Sequence, residues 1–170
     1  YPEIYQDAYQ LLEPKDYLNL KFSGLFASSY DAIALYWLTD NRNIKKIDYD
    51  PYLLSLTNID RNKLPTLFHS TDILGPILPQ VAKQLGLRED VQVIVGSPDL
   101  QTAAVGSGAV EDYQAHLCLG TSSWLSCHLP YKKTDLQNNM CTLPSALPGK
   151  YFIANEQESA GVCLNYFWET

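Results

Sequence analysis

Apolar residues open the chain at helical spacing. Ile4, Tyr5, Ala8, Leu11 and Leu12 fall on one face and Pro14 follows, so residues 2–12 read as a helix. Tyr17, Leu18 and Leu20 predict a second helix over 15–22, stopped at Gly24. The polar group Ser28-Ser29-Tyr30-Asp31 marks a turn or a helix start, and the apolar run 32–38 fits either helix or strand. Residues 48–51 read as a turn whose Asp50 caps a short helix through Leu56, and 58–65 as a loop. Residues 71–77, with Gly75-Pro76, are a short extended piece. Val81, Ala82 and Leu85 place a helix over 78–85, with Gly86 at its end. The β-branched run 91–95 predicts a buried strand, and Asp99 sits just past its end. The small residues of 101–108 suit a closely packed helix.

The period then changes from helical to alternating. Residues 115–119 and 123–129 alternate as two strands around Gly120-Thr121-Ser122, which predicts a hairpin with a tip of small residues. Residues 132–148 are polar and Pro-rich and carry no clear element. Residues 151–155 read as a strand and 159–168 as a helix presenting Val162, Cys163, Tyr166 and Phe167. The shift between Gly108 and Gln114 places a domain boundary, giving domains of residues 1–109 and 110–170.

Composition narrows the classes. At 46% hydrophobic and 18% charged, the 170-residue chain is that of a folded domain or parts of two. A net charge of -7 makes a nucleic-acid partner a poor expectation but leaves room for a nucleotide, whose phosphates are held locally by backbone N–H groups. Cys118, Cys127, Cys141 and Cys163 form no CxxC pair, so neither zinc nor a disulfide framework is expected, and reduced thiols in a cytoplasmic protein are. No apolar run approaches a membrane span. The chain starts at Tyr1 without Met and ends inside an amphipathic stretch, which reads as a piece of something longer.

Two places could carry chemistry. A strand that delivers Asp99 at its carboxyl edge puts a carboxylate where open α/β sheets place ligands. On this local pattern an ordinary helix cap is the commoner role of such an Asp, and the two roles are compatible. Gly120, Thr121 and Ser122 expose N–H groups and hydroxyls that can hold phosphate oxygens, although a plain tight turn uses the same residue types. There is neither a Walker A sequence nor GxGxxG. His69, His116 and His128 are scattered, Trp37, Trp124 and Trp168 read as core or domain-contact aromatics, and Lys132-Lys133 as solvated surface.

In order and spacing, several short motifs together resemble the FGGY carbohydrate kinase family, within it the xylulokinase-like group. They are Pro14-Lys15-Asp16-Tyr17-Leu18 with Ser23-Gly24, then Thr71-Asp72-Ile73-Leu74-Gly75, then Gly96-Ser97-Pro98-Asp99 with Ala104-Val105-Gly106-Ser107-Gly108, then Leu119-Gly120-Thr121-Ser122, and finally Ser159-Ala160-Gly161. The resemblance implies an α/β chain made of parts of two actin-like (ribonuclease H-like) domains, sugar bound mainly to the first and ATP to the second. It implies Asp99 as general base and sugar contact, Gln101 near the sugar, Gly120, Thr121 and Ser122 at the ATP phosphates, and Mg²⁺ bridging those phosphates. A small sugar and ATP are then the expected partners, with a homodimer among the expected assemblies and no membrane. The family's Asp-Gly-Thr phosphate hairpin and its Gly-rich adenosine segment are missing, so the isolated chain is expected to bind weakly, transfer nothing and self-associate. The alternative is an actin-like module that binds sugar or nucleotide without transferring phosphate.

Overall fold

A computed structural model of the chain describes residues 1–138 and 140–169. It divides into two compact units, Tyr1–Pro98 and Asp99–Thr170.

The first unit opens with α1 (Pro2–Asp7) and α2 (Pro14–Ser23). The first helix is shorter than its periodicity predicts. It buries no residue, and its chain leaves the helical path at Ala8. Leu11 N–H instead donates to Lys63 O at 2.7 Å, and Lys63 Nζ returns bonds to Gln6 O and Ala8 O. Tertiary hydrogen bonds therefore outcompete a helix turn that has no packed face. The second helix ends where expected, with Gly24 left-handed at φ 78.

The polar group at 28–31 is more regular than a turn. β1 (Ala27–Ser29) pairs in parallel with β4 (Thr66–Phe68), and α3 (Tyr30–Ile33) starts directly after it. Ser29 caps that helix, its Oγ accepting from Ala32 N at 3.4 Å. The apolar run continues as a 3-10 turn, Ala34–Tyr36, closed by Trp37 at φ 60. β2 (Thr39–Asp40) and β3 (Asp48–Tyr49) form a short antiparallel pair, and Asp50 caps α4 (Pro51–Ser55) as predicted. Ile33, Leu38, Tyr49 and Leu64 close one core cluster.

A second cluster, Ile77, Ala82 and Val93, joins three elements. They are β5 (Ile73–Pro76) with the residue after it, α5 (Pro79–Leu85) and β6 (Gln92–Ile94). Residues 91–95 are not the fully buried strand that five apolar side chains suggest. Among the described residues β6 pairs only with β5, antiparallel, and one face is covered: Val93 and Val95 are buried, while Gln92 and Ile94 on the other face are exposed, as is Val91 where the run starts.

The second unit begins with α6 (Asp99–Gly106) and a four-stranded antiparallel sheet in the order β7-β8-β10-β9. β7 (His116–Leu119) and β8 (Ser123–Leu129) are the expected hairpin, with Cys118 opposite Trp124 and Leu119 opposite Ser123. β9 (Met140–Pro144) lies in the stretch read as having no element. Its Thr142, Leu143 and Pro144 are all buried, so no alternation announces it, and Pro144 sits at the end of an edge strand where its missing N–H costs nothing. β10 (Tyr151–Gln157) runs between β8 and β9. Ala104 of α6 packs on Phe152 and Ala154 of β10, with Leu100 and Trp124 at the margin. α7 (Gly161–Glu169) follows, and its Val162, Leu164, Tyr166, Phe167 and Trp168 are exposed. Among the described residues no helix is long and apolar enough to cross a membrane, and no group of His, Cys, Asp and Glu could hold a metal ion.

Candidate active site

Asp99 is the first residue of α6, one step inside the position a capping residue takes. Its Oδ1 accepts from Leu100 N at 2.8 Å, while its backbone carbonyl accepts from Thr102 Oγ1 at 3.1 Å. The amides two and three residues on, which a helix cap would engage, do not bond this carboxylate. The side chain is exposed and keeps most of its lone pairs available.

The tip of the β7–β8 hairpin lies against the start of α7. Gly120 N–H donates to Ser122 O at 2.8 Å and closes the turn. The carbonyls of Gly120 and Thr121 accept from Gly161 N at 2.9 Å and Ala160 N at 2.8 Å. This arrangement turns the tip's acceptors inward onto backbone amides. Among the described residues no protein acceptor takes the N–H of Thr121 or Ser122, nor their hydroxyls. Gly120 therefore offers space rather than a donor, and the donors of the tip are Thr121 and Ser122.

Asp99, Leu100 and Ala103 of α6 line one open cleft together with Cys118, Gly120, Ser122 and Trp124 of the hairpin. Its volume is about 340 Å³. The structure thus brings Asp99, Gly120 and Ser122 together within the second unit, a small-molecule-sized recess with a carboxylate on one wall and hydrogen-bond donors on the other. Thr121 stands at the exposed tip.

Gln101 is placed differently. It is only 2% exposed, its Nε2 donates to Pro144 O at 2.9 Å, and its Oε1 accepts from Ala146 N at 2.6 Å. Both ends of the Gln101 amide are thus engaged inside the protein, and its burial keeps the remaining N–H and lone pair away from the surface. Cys118 and Trp124 were not singled out for this cleft. The signal that finds them is register: with Gly120-Thr121-Ser122 as the tip, Cys118 and Trp124 face each other as the second pair below it.

A model of the N-terminal domain of the FGGY family of carbohydrate kinases matches residues 1–106. The chain is 34% identical, over 169 residues, to a xylulose kinase of Escherichia coli (strain K12), covering 97% of this chain and 33% of that protein. Among solved structures, a xyloylose kinase of Brucella ovis superposes with a TM-score of 0.88 at 23% identity, covering 99% of this chain and 34% of its own. A ligand-bound xylulose kinase of Lactobacillus acidophilus superposes with a TM-score of 0.86 at 22% identity, again over 99% and 34% of the two chains. The chain thus spans about a third of the length of the relatives it matches. The architecture is the α/β one expected, that of actin-like kinase domains.

Proposed function

Because the chain belongs to the FGGY family of carbohydrate kinases, we propose that it works as a segment of a longer enzyme that transfers the γ-phosphoryl group of ATP to a hydroxyl of a xylulose-like ketose or a related polyol. Residues 1–109 are the end of its sugar-binding domain in this reading, and 110–170 the start of its ATP-binding domain. The observation that carries it is the shared cleft of Asp99, Gly120 and Ser122.

The chemistry follows from the donors and acceptors present. Asp99 takes the proton of the attacking sugar hydroxyl as that oxygen bonds to the γ-phosphorus. The bond from the γ-phosphorus to the bridging oxygen breaks, and ADP leaves with the electron pair. Thr121 and Ser122 hold phosphate oxygens through N–H and O–H groups, and the missing side chain of Gly120 lets the phosphates approach. One carboxylate in the cleft is too few for a protein-built metal cage but suits Mg²⁺ arriving on the nucleotide and keeping its waters. When bound, that ion would neutralise phosphate charge, and Asp99 is the cleft residue that would help to hold it. In this reading the enzyme's partners are a small sugar and ATP, its place is the cytoplasm, and the 170-residue chain alone transfers nothing.

The test is ADP release by the full-length protein against a panel of pentuloses, hexuloses and polyols. Turnover on one sugar, lowered about 10²- to 10⁴-fold by Asp99→Ala, is the expected result. Undiminished turnover in the variant removes Asp99 as base. A folded, ATP-binding protein with no turnover on any sugar moves the reading to a non-catalytic actin-like module.

A further inference from the structure

Past Ile94 the β5–β6 ladder ends, yet each of the next three residues is hydrogen-bonded to a distant part of the first unit. Val95 N–H donates to Asp72 O at 3.0 Å, and Gly96 N–H to Ser70 O at 2.8 Å. Val95 O accepts twice, from Asn19 Nδ2 at 2.6 Å and from Lys15 Nζ at 3.1 Å. Ser97 Oγ donates to Asp31 Oδ2. The partners come from α2, from α3 and from the segment before β5, so three separate parts of the first unit converge on three consecutive residues. Gly96 turns the chain there with a left-handed φ of 76, and Pro98 follows.

The groups that make this grip are expensive to keep. Asn19 and Asp31 are 8% and 2% exposed, and Asp16, which pairs with Lys15, is fully buried with one oxygen lacking a partner among the described residues. Burying a carboxylate costs unless it is paired and hydrogen-bonded. Burial pushes the Asp31 carboxyl up, and the bonds from Ser29 and Ser97 and the charge of Lys15 pull it back. Apolar side chains would fill the same space without that cost. What they could not do is fix the orientation of a carbonyl and a hydroxyl.

Resting on the reading of Asp99 as general base, we infer that Asp31, with Asn19 and Lys15, is a positioning residue that acts through Ser97 and Val95. Asp99 is the second residue after Ser97, joined to it by the proline. Fixing Ser97 on a buried carboxylate anchors the chain two residues before the base. Misplacement of a reacting group by about 1 Å costs about 10²-fold in rate. None of these three side chains needs to touch substrate.

The test uses the full-length protein and compares Ser97→Ala, Ser97→Thr and Asp31→Asn with Asp99→Ala. The expected result is that Ser97→Ala lowers kcat by about 10- to 100-fold while KM for ATP stays within about twofold. Ser97→Thr, which keeps the hydroxyl, recovers most of the loss, and Asp31→Asn, which keeps an acceptor, loses less than Ser97→Ala. Unchanged kcat in Ser97→Ala, with turnover abolished in Asp99→Ala, overturns the positioning role and leaves the base standing. Full turnover in Asp99→Ala overturns the base and the positioning role with it. Equal losses in Ser97→Ala and Ser97→Thr, accompanied by a lowered melting temperature in both, reduce the grip to a folding contact.

Discussion

Gly161 donates its backbone amide to the carbonyl of Gly120 at 2.9 Å, and a β-carbon added to Gly161 would lie 2.7 Å from that same oxygen. The hairpin tip is thus seated on the helix start at a distance that only a residue without a side chain permits. The neighbour is backbone held in a closed turn, so it cannot swing aside as a flexible side chain would. Gly161→Ala is expected to destabilise the protein by about 1–3 kcal/mol, the usual cost of forcing extra volume into a packed site. Urea denaturation followed by circular dichroism reads this directly. Relief of the clash displaces Gly120 and Thr121, so ATP affinity measured by calorimetry is expected to fall in the same variant. Normal affinity alongside lowered stability would show that the tip does not meet the nucleotide.

A second prediction concerns Gln101, whose side-chain amide ties α6 to the end of β9 through Pro144 O and Ala146 N. Gln101→Leu keeps roughly the volume and removes both bonds. Losing a partner for a buried polar group costs about 1–3 kcal/mol. The melting temperature of the variant is therefore expected to drop while KM for the sugar stays unchanged. The reverse pattern, a raised KM at full stability, would make Gln101 a substrate contact after all.

Local chemistry announced the parts of this molecule that depend on neighbours in sequence. The hairpin was legible because two short strand-like runs, 115–119 and 123–129, flank three small residues, although the face that is buried carries Ser126 and His128 while Leu117, Leu119 and Leu125 are exposed. The caps at Asp50 and Gly24 were legible for the same reason. What escaped depends on distant partners. α1 stops at Asp7 because Lys63 captures the next turn, and β9 forms because β10 offers it a ladder. The cleft was half legible. Asp99 and the small residues of the tip stand out by type, whereas Cys118 and Trp124 emerge only from cross-strand register. The grip on Val95 to Ser97 was invisible, since its side-chain bonds join residues 66 to 80 positions apart.

The last prediction follows from His128, fully buried on β8 with its ring 5.1 Å from that of Phe152. Its Nδ1 lies 2.8 Å from Ser145 Oγ, and its Nε2 has no partner among the described residues. Burial pushes its pKa down from 6.5, the charge of Lys150 pushes the same way, and Asp112 opposes them. The unfolded chain has no such environment, so its histidine titrates near 6.5. Below that value the unfolded state binds the proton that the folded state refuses. Stability contributed by neutral His128 is therefore intact above about pH 6.5 and is lost as pH falls from there toward the depressed folded value. Asp31, whose carboxyl is raised by burial, has the opposite sign: its contribution is greatest below the unfolded carboxylate range and is lost as pH rises through its folded value. The two dependences are separable by substitution. Urea midpoints of the wild type are expected to decline between about pH 7 and pH 5.5, and His128→Asn is expected to flatten that decline while lowering stability at pH 7. Parallel pH profiles in the two proteins would place the proton uptake on another residue.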